Sequence, residues 1–203
     1  MGGRSFIALD PFWYTSRQRG GSEDNWSRTL GRAQYEWLAE TLEKSRAKYR
    51  FVFLHHLVGG YGREARGGVI GAPWYEWGGS TPEGLDQFRE KRPGWAMPIH
   101  GLLKKHKVNI VFHGHDHLYA REELDGIVYQ EVPQPGYARY DNTRSAVEYG
   151  YTSGVILGSS GHLRVRVETE QVAVDYVRAV LPGDETGGRK NGMVSHRYTL
   201  KAQ

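Results

Sequence analysis

The chain has no cysteine among its 203 residues, and no apolar run long enough to cross a bilayer. Without cysteine there are no disulfides, thiolate metal sites or cysteine nucleophiles, so any metal ion must be bound by histidine, carboxylate or amide side chains. A membrane-spanning helix needs about 20 apolar residues, and the start MGGRSFIALD lacks the pattern of a secretory signal. We therefore expect a soluble protein with no membrane partner; its compartment, cytoplasmic or periplasmic and secreted, stays open.

An excess of charge of one sign is also lacking. The 27 basic and 23 acidic residues are interspersed, and only KKHK at 104–107 forms a basic run. A basic patch with interleaved aromatic residues is therefore missing, and we expect no nucleic-acid partner except as a substrate. Glycine is abundant, with 27 residues, which favours long structured loops. The length suits one domain, and we predict that residues 1–203 form it.

Strands and helices alternate in the first half of the chain. Compact apolar runs predict buried strands at 5–9, 49–56 and 108–112. Apolar residues at three- to four-residue spacing predict amphipathic helices from Thr29 to Lys48 and at 98–106. Such alternation is typical of a sheet that is covered by helices.

The pattern changes to strands alone near residue 125. The segments concerned are GIVYQEV, SGVILG, HLRVRVE, QVAVDYVRAV and SHRYTLK. The last four alternate apolar and polar residues, which predicts antiparallel strands with one wet face. We therefore predict an α/β fold, in which a parallel or mixed sheet with helices is joined by a second, mostly antiparallel sheet.

Residues 57–94 show neither helical nor strand periodicity and are rich in glycine, tryptophan, proline and arginine. A loop of this length in a compact domain is usually functional or disordered. The aromatic side chains of WYEW at 74–77 favour ordered packing. We predict a long ordered loop over the functional site, with a wall for the substrate.

Histidines gather after two of the predicted strands. FHGHDHLY places three of them at alternate positions, His113, His115 and His117, and the earlier strand ends in His55 and His56. If both strands run parallel in one sheet, all five meet at its carboxyl edge, where open α/β sheets bind ligands. Neutral imidazoles suit transition-metal ions, and protonated imidazoles this close would repel each other, so the cluster favours a bound metal.

The remaining four histidines have no such clustering, and we predict structural roles for them: His100, His106, His162 and His196. Gly114, between His113 and His115, is expected to let the chain turn sharply after the strand.

Several of these motifs together resemble one family. GHDH at 114–117, with FVFLHHLVGG, YEWGG and RPGWAMPIHGLL before it, is similar to the carboxyl-terminal half of calcineurin-like metallophosphoesterases, in the purple-acid-phosphatase-like branch. The resemblance covers about residues 5–135 and implies part of a metallophosphoesterase-type α/β sandwich. In that family two metal ions hold a phosphate ester while a metal-bound hydroxide attacks phosphorus.

The resemblance implies metal ligands and a cofactor. His55 and His115 would bind one ion and His117 the other, with zinc, iron or manganese as the divalent or trivalent metals. Asp116 would orient the loop rather than bind metal.

Three further residues would contact the substrate phosphate or support the ligands: His56, His113 and Arg121. For His113, a position in the core and a supporting role are both open. The implied substrate is a phosphate ester, with monoester and diester both open.

The sequence departs from the family in what precedes His55. Motifs of the kinds DxH, GDxxD and GNHD do not occur there, and Asp10 is the only carboxylate at the end of an early strand. The chain would supply only the carboxyl-terminal histidine ligands, so we expect a metallophosphoesterase that is weak or inactive alone. The alternative is a non-catalytic metal-binding or interaction module that retains the fold.

The missing strands would also leave an exposed sheet edge. We therefore expect self-association, or a second chain that supplies the amino-terminal half.

Overall fold

The computed structural model describes residues 3–16, 25–62, 64–137 and 139–201. Its strands are β1 (Arg4–Ala8), β2 (Tyr49–Phe53), β3 (Ile110–His113), β4 (Leu118–Leu124), β5 (Ile127–Glu131), β6 (Val155–Gly158), β7 (Gly161–Val167), β8 (Gln171–Arg178) and β9 (Val194–Lys201). Its α-helices are α1 (Gly31–Lys44), α2 (Tyr75–Gly78), α3 (Phe88–Lys91) and α4 (Ile99–Lys105). Short 3-10 turns lie at Asn25–Ser27 and Pro182–Asp184.

The larger sheet has the strand order β1-β2-β3-β5-β4-β6. The first four strands in that order are parallel to one another, whereas β4 runs antiparallel to both β5 and β6. Phe51 of β2 lies opposite Ile110 of β3, so the prediction that these two strands are neighbours is confirmed. Their carboxyl ends therefore point to the same edge of the sheet.

Helices α1 and α4 cover one face of this sheet. In α1, Tyr35, Leu38 and Leu42 recur at three- to four-residue spacing and are buried with Val52 and Val111 of the sheet. Each large apolar side chain buried in this way stabilises the fold by about 1.5–3 kcal/mol. The amphipathic pattern seen in the sequence thus positions α1 against the sheet.

The smaller sheet, β7-β8-β9, is antiparallel and covers the opposite face. Val172 and Val174 of β8 pack in one core cluster with Phe51, Phe112 and Val128 of the larger sheet. The architecture is therefore an α/β sandwich with a mixed sheet in the middle, as predicted.

The boundary between the two sheets differs from the prediction. The change to strands alone is confirmed, since no α-helix follows α4 in the described residues, but β5 and β6 belong to the larger sheet and the smaller sheet begins at Gly161. β4 was not predicted as a strand because Leu118, Tyr119 and Ala120 are all buried in succession, which removes the alternation of a strand with one wet face.

A two-residue hairpin joins β4 to β5. Leu124 pairs with Ile127, and the turn residues Asp125 and Gly126 both have positive φ, at 53° and 79°. Asp-Gly is a typical hairpin dipeptide for such a turn, so the sequence held a signal for β4 that periodicity alone did not show.

The described part of segment 57–94 packs into the core and contains α2 and α3. Trp77 is fully buried and donates a hydrogen bond through Nε1 to Tyr129 Oη, at 2.9 Å. Glu76 is buried beside it, accepts a hydrogen bond from the backbone N–H of Leu30 at 2.7 Å, and pairs with Arg92. The segment is thus tied to the start of α1 and to the sheet, while its role over a site and the single-domain organisation stay predictions.

Within the ranges described, every helix falls short of the length and hydropathy that a transmembrane span requires.

Candidate metal centre at the carboxyl edge of the sheet

The histidine loops follow β2 and β3 directly. His55 lies two residues after the end of β2, and His115 lies two residues after the end of β3. The backbone N–H of Gly114 donates a hydrogen bond to the carbonyl of His55 at 2.8 Å. Parallel neighbouring strands and this bond bring the two loops together at one edge.

Three imidazoles meet there. His55 Nε2 lies 3.0 Å from His115 Nδ1, where one shared proton forms a hydrogen bond that either ring can donate. The ring of His56 lies 5.7 Å from that of His55 and 5.8 Å from that of His115, between ring centres. The convergence expected from the strand ends therefore holds for these three residues.

The turn after β3 is made by the histidines themselves. His115 has φ 92° and His117 has φ 57°, both in the left-handed region that non-glycine residues rarely adopt. A Cβ on Gly114 would meet nothing closer than the carbonyl of His55 at 3.8 Å. The expectation that Gly114 supplies the sharp turn is therefore wrong, and the loop conformation must be stabilised by other contacts.

Asp116 provides those contacts. Its carboxylate accepts hydrogen bonds from Arg66 Nη1 at 2.7 Å, from the backbone N–H of Gly67 at 2.9 Å and from Tyr151 Oη at 2.8 Å. Its own N–H donates to Glu131 Oε1 at 3.0 Å. Asp116 is thus a buried anchor of the loop, between two of the histidines.

His113 supports this anchor from the interior. Its Nδ1 lies 2.9 Å from Glu131 Oε2, and both side chains are buried. Burial raises the pKa of Glu131 to about 7, although the hydrogen bond with His113 opposes the rise. The sequence left a core position and a supporting role open for His113. In the structure His113 is buried in the core and contacts Glu131, which accepts a hydrogen bond from the backbone N–H of Asp116.

Burial also shapes the charge of the clustered rings. It lowers the pKa of His56 to about 4, an effect that the nearby charges of Arg28, His115 and His55 reinforce and a hydrogen bond to the carbonyl of Leu57 opposes. Burial likewise lowers the pKa of His115, against the effect of the neighbouring carboxylate of Asp116. Both rings are neutral near pH 7, which is the form that binds metal ions.

His117 and Arg121 lie apart from this group. The ring of His117 is exposed, and its carbonyl accepts a hydrogen bond from Ser159 Oγ at 2.7 Å. Arg121 pairs with Glu123 at 2.6 Å and lies over the ring of Tyr198 in the smaller sheet, 5.3 Å from its centre. Neither side chain joins the three imidazoles.

Across the described ranges, no set of three or more His, Asp or Glu side chains is arranged to hold a metal ion. The metal-ligand roles of His55, His115 and His117 therefore stay predictions.

The facing nitrogens of His55 and His115 nevertheless fit one ion. At zinc–nitrogen distances of about 2.0–2.1 Å, two ligands at an angle of about 90–110° lie about 2.8–3.4 Å apart, and the observed separation is 3.0 Å. The second nitrogens of His115 and His56 are buried without a partner in the described residues. Buried polar atoms without partners are costly, and a metal or its bound ligands would satisfy them.

Sequence reasoning did not find Arg66 and Phe12. The Arg66 guanidinium binds Asp116 and stacks on the ring of Tyr149 at 3.8 Å. Phe12 packs against the rings of both His55 and His56, at 5.4 and 5.2 Å. Neither residue belongs to a local pattern, because segments distant in sequence bring them to the site.

Asp10 does not join the site as a ligand. Its Oδ1 accepts hydrogen bonds from the N–H groups of Phe12 and Trp13, at 2.8 and 3.3 Å, so it stabilises the turn after β1. Three of the histidines expected to be structural have polar partners: His100 with Tyr129, His106 with Glu43, and His196 with Tyr119. His162 is exposed on β7.

Comparison with solved structures gives the fold a name. PhoD superposes with a TM-score of 0.61 at 17% identity, over 98% of this chain and 40% of its own. GAP50, the anchor in the inner membrane complex of Plasmodium, gives 0.57 at 13% identity, over 98% of this chain and 50% of its own. Neither a family model nor a curated protein sequence matches the chain.

The chain therefore has a calcineurin-like metallophosphoesterase fold. It spans half or less of the length of the two structures it superposes on.

Proposed function

We propose that this chain forms part of a metal-dependent phosphoesterase, and that His55 and His115 bind a divalent or trivalent transition metal. The observation that carries the proposal is the 3.0 Å separation of His55 Nε2 and His115 Nδ1 at the carboxyl edge of the sheet. The metallophosphoesterase fold supports the reaction class. The burial that keeps His115 neutral favours metal over proton.

The side chains around the pair have distinct proposed roles. When bound, the metal ions supply Lewis acidity toward the phosphoryl oxygens. His56 is buried and neutral and donates its one N–H from Nδ1 to the carbonyl of Leu57, so its Nε2, unpartnered in the described residues, accepts a hydrogen bond from a protonated phosphate oxygen. Asp116, held by Arg66 and Tyr151, keeps His115 in its left-handed conformation.

His117 is the proposed ligand of a second ion. Its ring is exposed, so it is free to rotate toward a metal without breaking a packed contact. The pair at His55 and His115 contributes only two nitrogens, and the DxH, GDxxD and GNHD motifs that would add further ligands do not occur before His55. We therefore expect the isolated chain to bind metal weakly and to hydrolyse phosphate esters slowly or not at all.

The outer edge of β1 is a proposed site of strand addition. In the described residues β1 pairs only with β2, and Phe6 on β1 is 62% exposed although it packs on Phe51. An unpaired strand edge beside an exposed aromatic side chain recruits further strands. We propose that an amino-terminal half of the enzyme, or a second copy of this chain, pairs there.

The test combines metal content with hydrolysis. Chain dialysed against zinc or manganese is analysed for bound metal and assayed with p-nitrophenyl phosphate. We expect bound metal that His55→Ala and His115→Ala each abolish, while His162→Ala, an exposed histidine on β7, retains it. Equal metal content in His115→Ala, or hydrolysis that survives that substitution, would contradict the assignment. Metal binding by the chain without hydrolysis, also after addition of the proposed amino-terminal half, would instead support the non-catalytic module.

A further inference from the structure

A cavity of about 570 Å³ lies beside the 57–94 segment and is not used by the histidine cluster. Four aromatic side chains line it: Trp26, Tyr61, Trp74 and Tyr75. Its volume is in the range of small-molecule binding sites. The segment with no periodicity in the sequence thus builds a concave surface.

The aromatic rings form two pairs. Tyr61 and Trp74 stack with ring centres 5.4 Å apart and planes 26° apart. Trp26 and Tyr75 meet edge to face, with centres 5.9 Å apart and planes at 87°. Trp26 and Tyr75 are buried, whereas Tyr61 and Trp74 are half-buried, so the stacked pair is the more accessible surface for another flat ring.

Two amide side chains in the lining provide hydrogen-bonding capacity. Asn25 donates through Nδ2 to the carbonyls of Gly59 and Gly62, at 2.6 Å each, which leaves its Oδ1 as an acceptor. Gln87 accepts from Trp26 Nε1 at 3.2 Å, which leaves its Nε2 as a donor. Among the described residues, neither Asn25 Oδ1 nor Gln87 Nε2 has a hydrogen-bond partner. The first can therefore accept a hydrogen bond from a ligand and the second can donate one.

The cavity adjoins the histidine loop through shared walls. Tyr61 and Gly62 also border a second cavity of about 260 Å³, and Arg66 is one of the residues that line this second cavity. Arg66 in turn binds Asp116, the residue between His115 and His117. The larger cavity is thus linked to the histidine loop through Tyr61, which pairs with Arg66, and through the contact of Arg66 with Asp116.

We propose that this cavity binds a planar heteroaromatic ring, such as the base of a nucleoside, carried by the phosphate ester on which the histidine edge acts. The proposal deepens the proposed phosphoesterase function and rests on it for the phosphate. Stacked aromatic rings favour a ring with a π-face, and an amide donor and acceptor match the polar edge of a base. An aliphatic alcohol has no π-face for the stacked pair, and polar Thr81, Glu83 and Lys91 in the lining disfavour a purely apolar ligand.

The test measures binding without phosphate and without metal. Calorimetric titration of the full chain with adenosine and with uridine, in the presence of a chelator, is expected to show saturable binding. Trp74→Ala should weaken it by about 5- to 150-fold, the range for loss of one stacking contact. Trp74→Phe, which retains a ring, should retain most of the affinity even if the alanine variant folds poorly. Trp37→Ala, at a position 47% exposed on α1, is the matched control and should leave affinity unchanged.

Three results would overturn the proposal: no binding of either nucleoside, equal affinity in Trp74→Ala and the unsubstituted chain, or tighter binding of methyl glucoside than of the nucleosides. The outcome is separable from that of the proposed function. Metal-dependent hydrolysis of p-nitrophenyl phosphate without nucleoside binding refutes the cavity assignment alone. Nucleoside binding by a chain that takes up no metal after dialysis against zinc or manganese supports the ring site and refutes the proposed metal centre.

Discussion

The hydroxyl of Tyr151 offers a direct test of how the histidine loop is held. This buried group donates to Asp116 Oδ2 at 2.8 Å and lies 3.2 Å from Glu131 Oε2. Replacing Tyr151 by Phe removes the hydroxyl and leaves the ring in place. A hydroxyl has one proton, so one hydrogen bond to a charged acceptor is lost, worth about 1.5–3 kcal/mol. Asp116 keeps its bonds from Arg66 and Gly67, so the cost should not exceed that range.

The assay is urea denaturation at pH 7 with parallel thermal melts. For a chain of this size, a loss of 1 kcal/mol lowers the melting temperature by about 2–4 °C, so Tyr151→Phe should lower it by about 3–12 °C. Tyr149→Phe is the control, because its ring still stacks under Arg66 and its hydroxyl makes no hydrogen bond within the described ranges. Ordinary surface substitutions change the free energy of unfolding by up to about 0.5 kcal/mol. If the unfolding free energies of the two variants differ by less than this, the hydroxyl of Tyr151 does not anchor Asp116.

Three other substitutions test the fold that positions the site. Glu76→Gln removes the buried partner of Arg92 and should cost about 3–5 kcal/mol in urea denaturation, while exposed Glu90→Gln should cost almost nothing. Hydrogen bonds from Arg197, and then from Arg164 and Arg166, lower the pKa of Asp175 below its ordinary 3.8. The ionised Asp175 carboxylate therefore stabilises the fold above about pH 3.8, and this stabilisation is lost as the pH falls below that value. Asp175→Asn should reduce the dependence of the unfolding free energy on pH in this acidic range. An unchanged pH dependence in the variant would contradict this. Phe6→Ser should reduce self-association in light scattering, and a chain that is monomeric at all concentrations before substitution would refute pairing between copies of this chain at the β1 edge.

The predictable parts of the site follow from local patterns. β2 and β3 are compact apolar runs, and a sheet with helices on one face makes such runs parallel neighbours. His55, His56 and His115 come within three residues of those strand ends, so their meeting needed no tertiary information beyond strand direction. The roles of Arg66 and Tyr151 could not be predicted from the sequence, because these residues contact Asp116 from positions 50 and 35 residues away along the chain.

The sequence by itself determined the alternation of strands and helices, the sandwich class and the histidines at one sheet edge, because these depend on side-chain periodicity and on where a strand stops. Only the tertiary structure decided that β4, β5 and β6 join the larger sheet. Strand pairing is made by backbone hydrogen bonds between distant segments, and a strand covered on both faces shows no alternation that would reveal its partner. The tertiary structure also decided that His115 and His117, rather than Gly114, make the turn. That left-handed conformation is adopted because the buried contacts of Asp116 hold the loop, and no local propensity of histidine would indicate it.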